Sequence, residues 1–175
     1  MKKRVPCLLC AVVLAIAAAT APAQKSHDAL AQARTKAKAE NQRVLLLVSG
    51  GDQAVDAALR QAVANYRQLG KLIRYEYQLA ALPTGSLAAT HLREKLGLQD
   101  LALPILAALD TEDRLLATLD RSAMAPGGAF ELKRVASFLE EHACPPLDAR
   151  EVLAAGIAAA KKSQREVFVY FSAPT

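Results

Sequence analysis

Val44-Leu45-Leu46-Leu47-Val48 is an unbroken apolar run of five residues, closed by Ser49-Gly50-Gly51-Asp52. A strand with one wet face alternates apolar and polar side chains, so a run without alternation has to be covered on both faces, as in a sheet held between layers of helices. The flanks agree with that reading. Residues 28–41 are rich in Ala, Lys and Gln, good helix formers, and end at the polar stretch Glu40-Asn41-Gln42-Arg43. A second helix is predicted over 53–69, with Val55, Leu59, Val63 and Tyr66 at helical spacing and Gly70 as its stop.

Residues 72–82 read as a strand, because Ile73, Tyr75 and Tyr77 alternate with Arg74, Glu76 and Gln78. A third helix is predicted from a Ser86 cap to Gly97. Ile105-Leu106-Ala107-Ala108-Leu109 is a further strand, and the turn Asp110-Thr111-Glu112-Asp113 returns the chain into 114–119 as a hairpin. After a loop over 122–128, a last helix carries Leu132, Val135 and Leu139 at i, i+3 and i+7. The order α-β-α-β-α-β-β-α predicts a mixed sheet, parallel where helices intervene and antiparallel at the hairpin. A hydrophobic fraction of 53% over 175 residues supplies such a core and excludes collagen-like, mucin-like and disordered chains.

The N-terminus reads as a secretory signal peptide, residues 1–23. Lys2, Lys3 and Arg4 precede an apolar stretch from residue 8 to 19, and Ala21-Pro22-Ala23 forms an A-x-A cleavage site before Gln24. That apolar stretch is shorter than the roughly 20 residues needed to span a bilayer, so the mature protein is expected to carry no membrane span and to be periplasmic or secreted. Of the 22 Lys and Arg, three leave with the leader, so 19 face 17 acids. No run of basic residues interleaved with aromatics remains, which argues against a nucleic-acid partner. Cys7-Leu8-Leu9-Cys10 has the spacing of a redox dithiol but lies in the leader and is discarded with it. Cys144 is then the single mature thiol, and no internal disulfide is expected.

The order of elements resembles the thioredoxin fold over residues 28–142. The features that carry the resemblance are a helix leading into a Leu/Val strand that opens into a loop, Ala102-Leu103-Pro104-Ile105 before a strand, and the ending of hairpin plus helix. The resemblance implies that Pro104 is the family's cis-proline and that Leu103 and Pro104 hold extended peptide through backbone hydrogen bonds. It also implies a W-C-x-x-C loop after the first strand, and here the sequence departs from the family. Gln53, Ala54, Val55 and Asp56 stand in that degenerate loop, with no cysteine and no tryptophan. Exchange requires a thiolate nucleophile and a resolving thiol, so the unit over 24–143 is expected to be redox-inactive and to bind or position protein partners. Gly50-Gly51-Asp52 reads as a tight turn and N-cap for the second helix; anion binding there is the weaker alternative.

An offset of 123 residues sets 28–49 beside 151–172, with identities at Leu30/Leu153, Ala31/Ala154, Ala37/Ala160, Lys38/Lys161, Val44/Val167 and Ser49/Ser172. A helix, a polar break, an apolar strand and a serine recur in order, which marks an internal repeat. Residues 144–150, with Pro145 and Pro146, are then a linker, and 151–175 are the first helix and strand of a second thioredoxin-like unit. Thiol–disulfide exchange, with protein thiols as substrates, is expected only where the natural chain reads on past Thr175 into a C-x-x-C. Two alternatives come from other classes. One is a non-enzymatic periplasmic binding or structural module, in which Cys144 links to a partner. The weaker one is a single-cysteine peroxidase or reductase using Cys144, two residues from His142. His27, His91 and His142 share no metal-ligand spacing with Cys144, and no G-x-S-x-G, H-E-x-x-H or P-loop occurs in the mature chain, so no metal and no cofactor are implied.

Overall fold

In a computed structural model of the chain, residues 21–50 and 52–170 are described, with side chains from residue 29 onward. The apolar run forms β1 (Arg43–Ser49) at the centre of a four-stranded mixed sheet of order β2-β1-β3-β4. The neighbours of β1 are β2 (Tyr77–Pro83), which runs parallel with Leu46 opposite Ala80, and β3 (Ile105–Leu109), antiparallel with Leu46 opposite Ala107. An outer strand, β4 (Leu115–Asp120), completes the hairpin with β3.

Both faces of the sheet are covered, which is why the run needs no polar alternation. Val44, Leu46, Val48, Ala80, Leu82, Ile105, Ala107 and Leu109 turn to one face. There they meet Ala33 and Ala37 of α1 (Ala21–Glu40) and Ala89 and Leu92 of α4 (Leu87–Lys95). Leu45, Tyr77, Leu106 and Ala108 turn to the opposite face. Their partners are Leu59 of α2 (Gln53–Asn65), Leu69 of α3 (Arg67–Glu76), and Val135, Phe138 and Leu139 of α6 (Leu132–Glu141). Small residues on α1 let that helix lie close to β1 and β2. On the opposite face the Tyr77 hydroxyl, fully buried, donates to the Leu139 carbonyl at 2.7 Å and ties β2 to α6.

Four boundaries differ from the sequence expectation. The helix expected over 28–41 starts at Ala21, so Ala21-Pro22-Ala23 lies inside α1, while residues 1–20 of the signal-peptide reading lie outside the described residues. The expected second helix breaks at the extended Tyr66 into α2 and α3, and Gly70 sits inside α3 rather than stopping α2. Consequently 72–76 are helical and β2 begins only at Tyr77. Leu69, Leu72 and Ile73 have helical spacing onto the core of α2 and α6, and that burial outweighs the alternation of Ile73 with Tyr75 and Tyr77. Gln42, buried at the start of β1, donates to the carbonyls of Arg74 and Tyr75 and fixes where α3 ends. The loop expected over 122–128 contains a short helix, α5 (Arg121–Met124), and a single 3-10 turn at Pro126–Gly128.

The fourth difference lies in the repeat. Its helix forms as α7 (Ala149–Ser163), capped by the Asp148 carboxylate on the Arg150 N–H, which shortens the expected linker to 144–148. Its strand, expected over 167–171, does not form over the described residues 165–170. A strand requires a neighbour to satisfy its ladder groups, and among the described residues the four strands of the sheet pair only with one another.

Candidate functional site

The site is built where β1 ends and β3 begins. In the antiparallel register Val48 faces Ile105, and Ile105 faces Asp120, so the end of β1, the Leu103-Pro104 segment and the start of α5 share one end of the sheet. The Leu103–Pro104 peptide bond is cis, with Leu103 half-buried and Pro104 buried. Arg93 of α4 holds the approach to it. Its guanidinium donates to the carbonyls of Leu98, Gln99 and Leu101 at 3.2, 2.6 and 3.2 Å.

On the other side of the site, the Ser49 carbonyl accepts from the Thr84 N–H at 2.9 Å. This brings the chain so close to Thr84 that a Cβ on Gly50 would lie 2.1 Å from Thr84 Cγ2, and Gly50 itself adopts φ +121°, a conformation that favours glycine. The Gly50 N–H donates at 2.6 Å to Oδ2 of Asp56, which reaches back from the first turn of α2 and is 7% exposed. Asp52 caps α2: its Oδ1 accepts from the N–H groups of Ala54 and Val55 at 3.0 and 3.2 Å. The two amides that an external anion would use are thereby taken by the chain's own carboxylate.

Asp52 has a second partner that is distant in sequence. The Arg121 guanidinium donates to Asp52 Oδ2 through Nε and Nη2, both at 2.8 Å, and the Arg121 N–H donates to the Ala102 carbonyl at 3.0 Å. One residue therefore joins the α2 cap to the backbone leading into the cis-proline. The hydrogen bond from Arg121, then that from the Val55 N–H, hold the Asp52 carboxyl below the usual carboxylate range against a smaller opposing effect of burial.

Of the loop residues singled out from sequence, Gln53 and Ala54 are exposed beside Asp52, whereas Val55 and Asp56 are buried. The structure thus brings Gln53, Ala54, Leu103 and Pro104 to one end of the sheet, and Val55 and Asp56 support the loop from beneath. Cys144 is not brought there. Its half-buried thiol faces Asn41 Oδ1 at 3.5 Å, and Asn41 precedes β1 at the opposite end of a strand about 20 Å long. Arg121 escaped the sequence reading because it meets Asp52 across 69 residues. The one local signal was an Asp-Arg pair at a strand end. Among the described residues no cluster of three or more His, Cys, Asp or Glu has the geometry to hold a metal ion, and no helix is long and apolar enough to cross a membrane.

These features together define a thioredoxin-like fold with a charged, thiol-free loop in front of its cis-proline. The fold is similar to that of a solved disulphide isomerase from Xylella fastidiosa Temecula1: the two superpose with a TM-score of 0.55 at 16% identity, covering 75% of this chain and 98% of that one. More distant are an HIV epitope-scaffold (TM-score 0.33, 22% identity, covering 67% of this chain and 79% of that one) and a protein of unknown function from Pseudomonas aeruginosa (0.35, 24%, 78% and 86%). No family model and no curated protein matches the chain.

Proposed function

We propose that this chain is an exported thioredoxin-like module that holds extended protein segments without exchanging disulfides. The observation that carries the reading is the Asp52–Arg121 pair, a carboxylate and a guanidinium that satisfy one another beside the loop Gln53 to Asp56, which the resemblance equates with the family's dithiol loop. Neither group carries redox electrons, and the single mature cysteine belongs to the other end of the sheet. With the Leu103–Pro104 bond cis, the resemblance lets Leu103 pair its backbone with an extended chain laid across Gln53 and Ala54.

The thiol chemistry belongs, in this reading, to a second thioredoxin-like unit begun by α7 and residues 165–170. Exposure supports the repeat independently of the identities. In α1 the sheet-facing Ala33 and Ala37 are buried, and their equivalents Gly156 and Ala160 are the least exposed positions of α7. In β1, Val44 and Leu46 turn to the α1 side and Leu45 to the other. Val167 and Val169, equivalent to the first pair, are 41% and 49% exposed, whereas Phe168 and Tyr170 are 89% and 77% exposed. The less exposed pair is thus the one equivalent to the α1-facing residues of β1.

The test is fluorescence anisotropy with a labelled polypeptide that is unfolded and free of cysteine. Micromolar to submillimolar binding is expected. Ala54→Asp, a substitution on an exposed first-turn residue, should weaken it about tenfold, equivalent to about 1.4 kcal/mol, and Cys144→Ser should leave it unchanged. Dependence on Cys144 would favour the linking or single-cysteine alternatives instead.

A further inference from the structure

The break between α2 and α3 opens a cavity of about 470 Å³, within the size range of small-ligand sites. Arg67, Lys71 and Arg74 line it at i, i+4 and i+7 of α3, so their Cα atoms span about 10 Å along the helix. Tyr66 and Tyr75, 41% and 44% exposed, line it from near the two ends of α3, and Val63 and Ile73 contribute apolar wall. Among the described residues no acidic one lines the cavity. Among the described residues every ion pair lies elsewhere, on Arg34, Lys38, Lys95, Arg114, Arg121 and Arg134, and none involves these three cations. Three unpaired positive charges around one concavity repel one another, an arrangement that a bound anion relieves.

We propose that this cavity binds a phosphomonoester, as a soluble sugar or glycerol phosphate or as a lipid headgroup. A phosphomonoester carries close to two negative charges at neutral pH and several acceptor oxygens, which suits the two guanidinium forks and the ammonium better than a monocarboxylate does. Its organic part fits against the tyrosine rings, and the Tyr75 hydroxyl adds a donor, that of Tyr66 being given to Gln68 Oε1. The site is separate from the cis-proline loop and stands whether or not that loop holds peptide.

The experiment is an amide-resolved NMR titration of the chain with sn-glycerol 3-phosphate in about 0.1 M salt, where long-range surface attraction is largely screened. Alongside it, the chain is sedimented with phosphatidylcholine vesicles carrying phosphatidic acid, the lipid form of the same group. Saturable shifts confined to 63–75 are expected. The triple variant Arg67→Gln, Lys71→Gln, Arg74→Gln should weaken binding by about tenfold or more. A control with the same loss of charge at exposed positions, Lys36→Gln, Lys133→Gln, Lys162→Gln, should change it less than about twofold. Binding of both probes assigns the headgroup in either source, and binding of one alone assigns that source. The proposal is overturned if glutarate or a tetraglutamate peptide binds as tightly, if triple variant and control behave alike, or if neither probe saturates. Should the triple variant lose its dispersed spectrum, Lys71→Glu alone carries the test with the same expected loss.

Discussion

Gly50 is the residue on which the geometry of the site turns. The hydrogen bond from Thr84 to Ser49 and that from Gly50 to Asp56 pull the backbone into a place where no side chain fits. Gly50→Ala should therefore cost about 2–3 kcal/mol, read as a lower midpoint in urea unfolding. Thr84→Gly in the same chain should restore only part of it, because the positive φ remains. Tyr77 makes a contrasting case, since its hydroxyl serves one buried carbonyl. Burial, followed by the nearby Glu76, pushes that hydroxyl's pKa up, so it stays a neutral donor. Tyr77→Phe should cost about 1–2 kcal/mol by the same measurement, leaving the Leu139 carbonyl unpaired. At this scale the sequence was partly informative. Asp52 as a helix cap was visible from its place after Gly50-Gly51, while its pairing with Arg121 was not, because only the tertiary fold brings them together.

Among the elements, α2 is made pH-dependent by its cap. The Asp52 pKa is lowered in the folded chain, so the stabilisation of this cap is fully present above the ordinary carboxylate range near pH 4. It is lost as pH falls through the lowered folded value. Amide protons of Ala54 and Val55 should lose protection from exchange along that acid limb, and Asp52→Asn should flatten their dependence there. Asp110 adds to the same limb. Burial raises its pKa, but the Arg114 and Glu112 N–H groups and the Arg114 guanidinium outweigh that and lower it, so Asp52→Asn removes only part of the acid sensitivity of the whole chain. Element boundaries show where reading a sequence succeeds. The central strand was legible because burial on both faces writes itself into composition. The start of β2 was not, because residues 69–77 satisfy helical spacing and alternation at once, and contacts with α2 and α6 decide between them. The basic face of α3 was missed for a related reason: intervals of four and three residues do not form a run.

At the scale of the whole molecule, the sheet with helices on both faces leaves one end of β1 free for function, as open α/β sheets do at strand ends. What stands at that end is a carboxylate–guanidinium pair beside a cis-proline, which in the proposed function binds extended chain and transfers no electrons. The direct test is the amide map of the chain, recorded with increasing amounts of an unfolded polypeptide lacking cysteine, together with dithiothreitol-driven insulin reduction by the same sample. Perturbations centred on Gln53, Ala54, Ala102, Leu103 and Arg121 are expected, with insulin reduced no faster than by dithiothreitol alone. Perturbations centred on Asn41 and Cys144 instead, or insulin turnover that disappears in Cys144→Ser, would contradict it.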